Sequence, residues 1–276
     1  MGYRHSSRSA GEAGASAVYG GGMADMTTLE LTKATAKTLG DLGARYMLHP
    51  ETAAIGTAAG YSNGWAWYFT GRGGVLGDVD ADVVAASFGF FGAPMVRLMW
   101  EQGLPVEGAR AAGHRYAEAC AEFGRKRLQG VDGLDRFCEL SARVIDALDI
   151  SGAPLLAGLR AEPVPGDLPG RAYWYVSLLR EWRGCEHIVA VRACGLTPAQ
   201  AVLTNYPDLA TGVKEASRRG FGEGHPDAAP LMGARAKAED LTDSLQAAGY
   251  EVLTAAERSE FASLVQALQA ALDANK

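Results

Sequence analysis

The sequence has no long apolar run. Nothing in its 276 residues approaches the roughly 20 consecutive apolar residues that a membrane helix needs, so we expect no membrane partner. Residues 1–26 are rich in glycine, serine and alanine but lack the apolar centre of a secretory signal, and they predict a flexible leader. The four cysteines include no CxxC pair, which is typical of free thiols in a reducing compartment and favours a cytoplasmic location.

Basic residues are in deficit. The 26 Lys and Arg against 32 Asp and Glu give a net charge of −6. A protein built chiefly to hold nucleic acid needs a basic face that displaces counterions from phosphates. The overall charge therefore disfavours DNA as a partner, and the only basic cluster is residues 124–130.

Motifs for nucleophilic or phosphate chemistry are also missing. The sequence contains no GxSxG, HExxH, SxxK or GxxxxGK[ST] pattern. Of its five histidines, only His49 and His187 fall at informative places inside the predicted fold, so we expect no multi-histidine metal centre. A single-histidine haem site stays open because one axial imidazole in an aromatic helical pocket is sufficient. The identity of any cofactor is not predicted.

The pattern of apolar residues is mainly that of α-helices. Apolar residues recur with a period of 3.6, and convincing period-2 alternation is almost absent. The pattern predicts an all-α protein of about ten helices in two winged-helix-like or small-bundle units, with at most a short β-wing. Thr254 and Glu257 form a capping box that predicts the start of the last helix.

Proline and glycine suggest where the units divide. Residues 151–170 contain four prolines and four glycines and predict a joint or long surface loop. We therefore expect an N-terminal helical unit over 27–150 and a C-terminal helical unit over 171–276.

The most distinctive stretch is NGWAWYFTGRGGVLGDVDADVV, residues 63–84. It lacks the lysine and the hydroxyl residue of a Walker loop, and Val83 and Gly89 stand where a calcium loop needs Gly and Glu. The simplest interpretation is a helix end with a left-handed cap at Gly73 or Gly74, followed by a second helix start. It leaves Arg72 on an open turn where its guanidinium can reach an anionic ligand.

A second stretch, LLREWRGCEHIVAV, combines arginine and histidine. On one helix, Arg180, Arg183 and His187 are spaced i, i+3 and i+7 and share a face. Such a face can orient a carboxylate or phosphate, or let His187 exchange a proton. The alternative is ion pairing with carboxylates of other helices. Gly184 suggests the close approach of a neighbouring element.

Aromatic residues cluster beside both stretches. Trp65, Trp67, Tyr68 and Trp174 can form the apolar wall of a cavity between helices, which is the usual form of a small-ligand site. The alternative is that they belong to the hydrophobic core.

The two stretches resemble motifs of a family of uncharacterised actinobacterial proteins described as helix-turn-helix-like. Its members carry a histidine at a helix start, a Y-x-x-GR-x-x-x-LG turn and an RE-x-RG-x-x-H helix. The matching residues here are His49, then Tyr68, Gly71, Arg72, Leu76 and Gly77, then Arg180, Glu181, Arg183, Gly184 and His187. The resemblance covers residues 30–265 and implies tandem winged-helix-like units but no established reaction. RRGFGEGHPDAAP (218–230) departs from the family's tryptophan-containing segment.

Our leading hypothesis is a cytoplasmic protein that binds a small molecule in an aromatic-lined pocket between the helical units. Arg72, Arg180 and Arg183 supply its polar side, and an enzymatic form of the hypothesis uses His187 or His49 as general acid or base. The alternatives are a helix-turn-helix transcriptional regulator, a haem protein with a single His ligand, and a purely structural or partner-binding protein. The oligomeric state is not predicted.

Overall fold

A computed structural model describes residues 25–206 and 208–275. These residues form thirteen α-helices and three short 3₁₀ helices, with no β-strand among them. The prediction of an all-α protein is confirmed. Residues 1–24 of the predicted leader lie outside the described residues.

The helices follow one another with short connections. Their bounds are α1 (Thr28–Ala44), α2 (Pro50–Ala59), α3 (Gly64–Gly73), α4 (Ala81–Phe88), α5 (Ala93–Glu107), α6 (Ala109–Arg127), α7 (Leu134–Ala147), α8 (Pro154–Arg160), α9 (Leu168–Ala193), α10 (Pro198–Leu203), α11 (Leu209–Arg218), α12 (Met232–Gly249) and α13 (Ala255–Ala274). The 3₁₀ helices are Gly74–Leu76, Ala229–Leu231 and Tyr250–Val252. No helix in the described ranges is long and apolar enough to cross a membrane.

Local capping explains several helix starts. The Thr254 hydroxyl accepts from the backbone of Glu257, whose carboxylate accepts from the Thr254 backbone, so the predicted capping box of α13 is confirmed. The His49 side chain accepts from the Glu51 backbone at the start of α2. His49 therefore satisfies a backbone N–H that the helix leaves without a partner.

The long helix α9 lies at the centre of the fold. Every residue from Ala172 to Leu179 is buried, because α9 contacts α1, α6, α7, α8 and α12. Polar groups on so buried a helix are stabilised when neighbouring elements supply hydrogen-bond partners. The Tyr173 hydroxyl does so by donating to the Leu42 carbonyl of α1 at 2.6 Å.

The principal hydrophobic core includes residues from Leu31 in α1 to Leu272 in α13. The predicted joint, residues 151–170, carries α8, whose Leu155 and Leu156 belong to this core. The two predicted units therefore contribute to a common core, and their division at this segment stays a prediction about domain boundaries.

A close backbone approach fixes the end of α3 against α6. A Cβ added to Gly113 would lie 2.7 Å from the carbonyl carbon of Gly74, so a larger residue does not fit between them. This contact positions the last turn of α3, which carries Arg72, over the centre of the fold.

Candidate ligand-binding cleft

Arg72 lies in the last turn of α3 and not on an open turn. The chain stays helical through Gly73 and Gly74, both at negative φ, and continues as a 3₁₀ helix to Leu76. The left-handed glycine is Gly77, at φ +81°. The expected cap at Gly73 or Gly74 is wrong because the helix end tightens into a 3₁₀ turn before it stops.

Arg72 forms a buried bidentate ion pair with Glu181 of α9. Its Nε donates to Oε1 at 2.8 Å and its Nη2 to Oε2 at 2.7 Å, while Nη1 donates to the Tyr68 hydroxyl at 3.0 Å. The side chains are 10% and 4% exposed. The Arg72 guanidinium also lies 4.4 Å from the centroid of the Phe88 ring. Every nitrogen of this guanidinium therefore has an acceptor within the protein.

Glu181 remains ionised despite its burial. Burial raises the pKa of this carboxyl, but the charges and hydrogen bonds of Arg72 and Arg180 outweigh it and lower the pKa to about 2. Arg180 contributes through Nη1, which donates to Glu181 Oε1 at 2.8 Å. Glu181 is therefore the residue that joins Arg72 to Arg180.

A cavity of about 380 Å³, including its part open to solvent, lies beside this ion pair. We call it the arginine cavity. Its lining residues include Arg72, Phe88, Phe90, Phe91, Arg180, Glu181, Gly184, Ile188 and Arg219. Gly184 gives no close approach of a neighbouring element, contrary to expectation: a Cβ added there meets no atom within 4 Å. The helix surface at Gly184 is thus open space.

A second cavity, of about 370 Å³ including its part open to solvent, lies further along α9. We call it the histidine cavity. Its lining residues are Phe90, His187, Ala201, Val202, Asn205, Tyr206, Arg219 and Arg235. Phe90 and Arg219 line both cavities, so the two adjoin. Together they form the α9 cleft, walled by α9, the α4–α5 connection and the segment from α10 to the end of α11.

Arg219 stands where the two cavities meet. The Gly92 backbone donates to its carbonyl at 2.8 Å, and a Cβ at Gly92 would collide with the Gly220 carbonyl. The end of α11 is thereby held against the α4–α5 connection.

The Arg219 guanidinium is poorly satisfied. Its Nη2 reaches the Tyr206 hydroxyl at a long 3.4 Å, and its buried Nε has no acceptor among the described residues. A nearby acid is Glu215, whose carboxylate accepts hydrogen bonds from Arg218. The hydrogen bond from Arg218 lowers the pKa of Glu215, and the charge of Arg219 contributes to this shift. A buried donor without an acceptor is costly, and more so on a charged group.

His187 is neutral at pH 7. The Thr242 hydroxyl donates to the Ala238 carbonyl at 2.7 Å, so it accepts from His187 Nδ1, which lies 2.9 Å away. The proton is assigned to Nδ1 on this basis, which leaves Nε2 with its lone pair. Burial is the main reason that the pKa of His187 falls to about 4; Arg235 and Arg183 lower it further, against the opposing charges of Glu239 and Asp243.

The structure brings together some of the predicted site residues. Tyr68, Arg72 and Arg180 lie in one hydrogen-bonded group, and His187 lines the adjoining cavity. Arg183 instead points to α12, where its nearest partners are Asp243 at 2.9 Å and Gln246 at 2.6 Å. Interhelical ion pairing therefore describes Arg183.

The remaining predicted residues lie outside the cleft lining. Trp67 is buried and donates to the Thr52 carbonyl at 2.8 Å, and Trp174 is buried in the same core. Trp65 packs against Phe91 with ring centroids 6.0 Å apart, behind the cavity wall. His49 caps α2 and packs on Phe123. Binding or catalytic roles for these residues stay predictions.

Sequence reasoning missed several cleft residues. Arg219, Arg235, Asn205 and Tyr206 come from segments that carry no recognisable motif. Only the close pair of arginines before a glycine in RRGFG marks the position of Arg219. Within residues 25–206 and 208–275, no three His, Cys, Asp or Glu side chains are grouped to hold a metal ion.

Comparison with known proteins gives one match. The model of a family described as a helix-turn-helix family matches residues 32–232, which is more than half of the chain. The match spans α2 to α11 in full, and so the entire α9 cleft except Arg235. No curated protein and no solved structure matches the chain.

We expect the Glu181→Gln substitution to lower the free energy of unfolding by about 3–5 kcal/mol, because it leaves the Arg72 charge buried without a counterion. The double substitution Arg72→Met with Glu181→Leu removes both charges, and it should lower the free energy of unfolding by less than Glu181→Gln alone. Urea denaturation at pH 7 measures these changes. The matched control is Lys37→Gln, which breaks the exposed Lys37–Asp41 pair and should change nothing measurable. A Glu181→Gln effect as small as the control would contradict the buried ion pair.

We expect stability to fall as the pH drops from 6.5 to about 4, in part through His187. In this window the unfolded chain binds a proton on His187 and the folded protein does not, so acid favours unfolding; the full effect is on the order of 3 kcal/mol. His187→Asn keeps a donor for Thr242 but removes the titration. Urea denaturation at pH 7 and pH 4.5 should show that the free energy of unfolding falls less between these pH values in the variant than in the wild-type protein. Equal losses in both proteins would show that His187 is not held neutral by the fold.

Proposed function

The chain belongs to the helix-turn-helix family, and for it we propose a small-molecule-binding function carried by the α9 cleft. The observation that carries this proposal is the position of Arg219. Among the described residues, no carboxylate pairs with this guanidinium, which stands between two adjoining cavities, one with aromatic walls and one with a neutral imidazole. Ligand sites are concave, mostly apolar and furnished with a few polar groups, and the cleft has this composition.

The proposal is binding and not catalysis. A general base works best when its pKa lies near the working pH. His187, with its pKa lowered to about 4, is a weak base at neutral pH, and its Nε2 lies 3.8 Å from Glu239 Oε1. His49 already accepts a backbone hydrogen bond with Nδ1, at 3.3 Å from the Glu51 nitrogen.

A DNA-binding regulator is the second candidate, favoured by the family match and by short consecutive helices such as α10 and α11. The basic cluster of α6 does not support it. Arg125 pairs with Asp167 at 2.8 Å, and Arg127 and Lys126 both pair with Glu51. These cations have carboxylates beside them, so they offer little charge for phosphates.

We expect small apolar fragments to bind the wild-type protein, and a Gly184→Leu variant to lose them. The leucine side chain would grow from α9 into the open space of the arginine cavity. Gly40→Leu is the matched control, because Gly40 is also a helix-interior glycine with no atom within 4 Å of an added Cβ. Ligand-observed NMR with a fragment library measures binding, and thermal unfolding checks that both variants are folded.

Fragments that bind wild-type and Gly40→Leu but not Gly184→Leu would support the proposal. Fragments that bind all three proteins alike, or an absence of binding, would contradict it. A mobility shift on genomic DNA that weakens steeply with salt would favour the regulator instead. A Soret absorbance band in the purified protein would favour the haem alternative.

A further inference from the structure

The arginine cavity carries an excess of positive charge. Its lining includes the guanidinium groups of Arg72, Arg180 and Arg219 but only one carboxylate, that of Glu181. Glu181 already accepts hydrogen bonds from Arg72 and Arg180. Two positive charges are therefore not balanced within the lining. Partly buried charges favour a counterion, so the cavity is suited to an anion.

The arginines of the cavity differ in how far their hydrogen-bond donors are used. Arg72 has an acceptor at each of its three nitrogens and is held in a bidentate pair with Glu181. Arg180 uses only Nη1, and Arg219 makes a single long contact to Tyr206. The planar fork of donors on a guanidinium matches the paired oxygens of a carboxylate or phosphate. Arg180 and Arg219 are thus the groups that can hold an oxyanion.

The rest of the cavity suits a flat apolar group. Phe88, Phe90 and Phe91 line it together with Ile188, and Gly184 leaves the facing surface of α9 without a side chain. Arg219 itself lies 5.5 Å from the centroid of the Phe91 ring. Aromatic rings pack favourably against one another at centroid separations of about 4.5–7 Å. An aromatic ring beside the guanidinium would extend this cluster.

We propose that the ligand of the cleft is an aromatic oxyanion, with a carboxylate or phosphate bound by Arg219 and Arg180 and its ring against Phe90 and Phe91. This inference rests on the proposed function and narrows it to a ligand class. It assigns Arg219, and not Arg72, as the residue that recognises the anion.

The test compares benzoate and phenyl phosphate with benzamide, a neutral molecule of nearly the same shape as benzoate. Dissociation constants are measured on the full chain by ligand-observed NMR. At least one oxyanion should bind about tenfold or more tightly than benzamide, because a charge-assisted hydrogen bond is gained. Arg219→Gln should remove this preference. Lys214→Gln, which removes one exposed positive charge from the helix that precedes Arg219, should keep it.

Which oxyanion binds more tightly decides between carboxylate and phosphate. Equal binding of benzamide and both oxyanions, or a preference that survives Arg219→Gln, would overturn the inference and leave the binding function standing. If none of the three compounds binds, the inference is also overturned. The Gly184→Leu comparison then decides separately whether the cleft binds small molecules. A preference lost equally in Lys214→Gln would show general electrostatic attraction and not recognition by Arg219.

Discussion

The Arg72–Glu181 ion pair is the interaction on which the centre of this fold depends. Removing a carboxylate from water costs several kcal/mol, and only a well-aligned counterion with further hydrogen bonds offsets this cost. Glu181 is buried on the central helix α9, and α3 supplies the counterion from 109 positions away in the sequence. The end of α3 must therefore lie close over α9 and α6, which is why Gly74 and Gly113 meet there without side chains.

The same ion pair sets the charge of the α9 cleft. Glu181 pairs with Arg72 and Arg180, so its single negative charge is already shared by two guanidinium groups and does not balance that of Arg219. The fold thus uses this buried carboxylate for structure and leaves the lining of the arginine cavity with an excess of positive charge. Next to it, the buried His187 is neutral and adds a hydrogen-bond acceptor without adding charge. The cleft thus combines unpaired positive charge at one end with an uncharged polar side chain at the other.

Local features were predictable from the sequence because they depend on neighbouring residues. Helical periodicity and the Thr254–Glu257 box identified the all-α fold and the start of α13. The pairing of Arg72 with Glu181 was not predictable, since one sequence does not show which distant side chains meet. Trp67 entered the core while Trp65 stayed at its edge, a difference set by the tertiary contacts of α3. Arg219 was missed because it follows a short helix in a segment without periodicity.

The central claim is that Arg72 is committed to the fold while Arg219 is free to bind an anion. Two-dimensional NMR of the arginine Nε–Hε groups during a titration with benzoate or phenyl phosphate tests it directly, with each resonance assigned by substitution. The account predicts that the Arg219 resonance moves with saturation while that of Arg72 stays in place. Movement of the Arg72 resonance with that of Arg219 unchanged would contradict it.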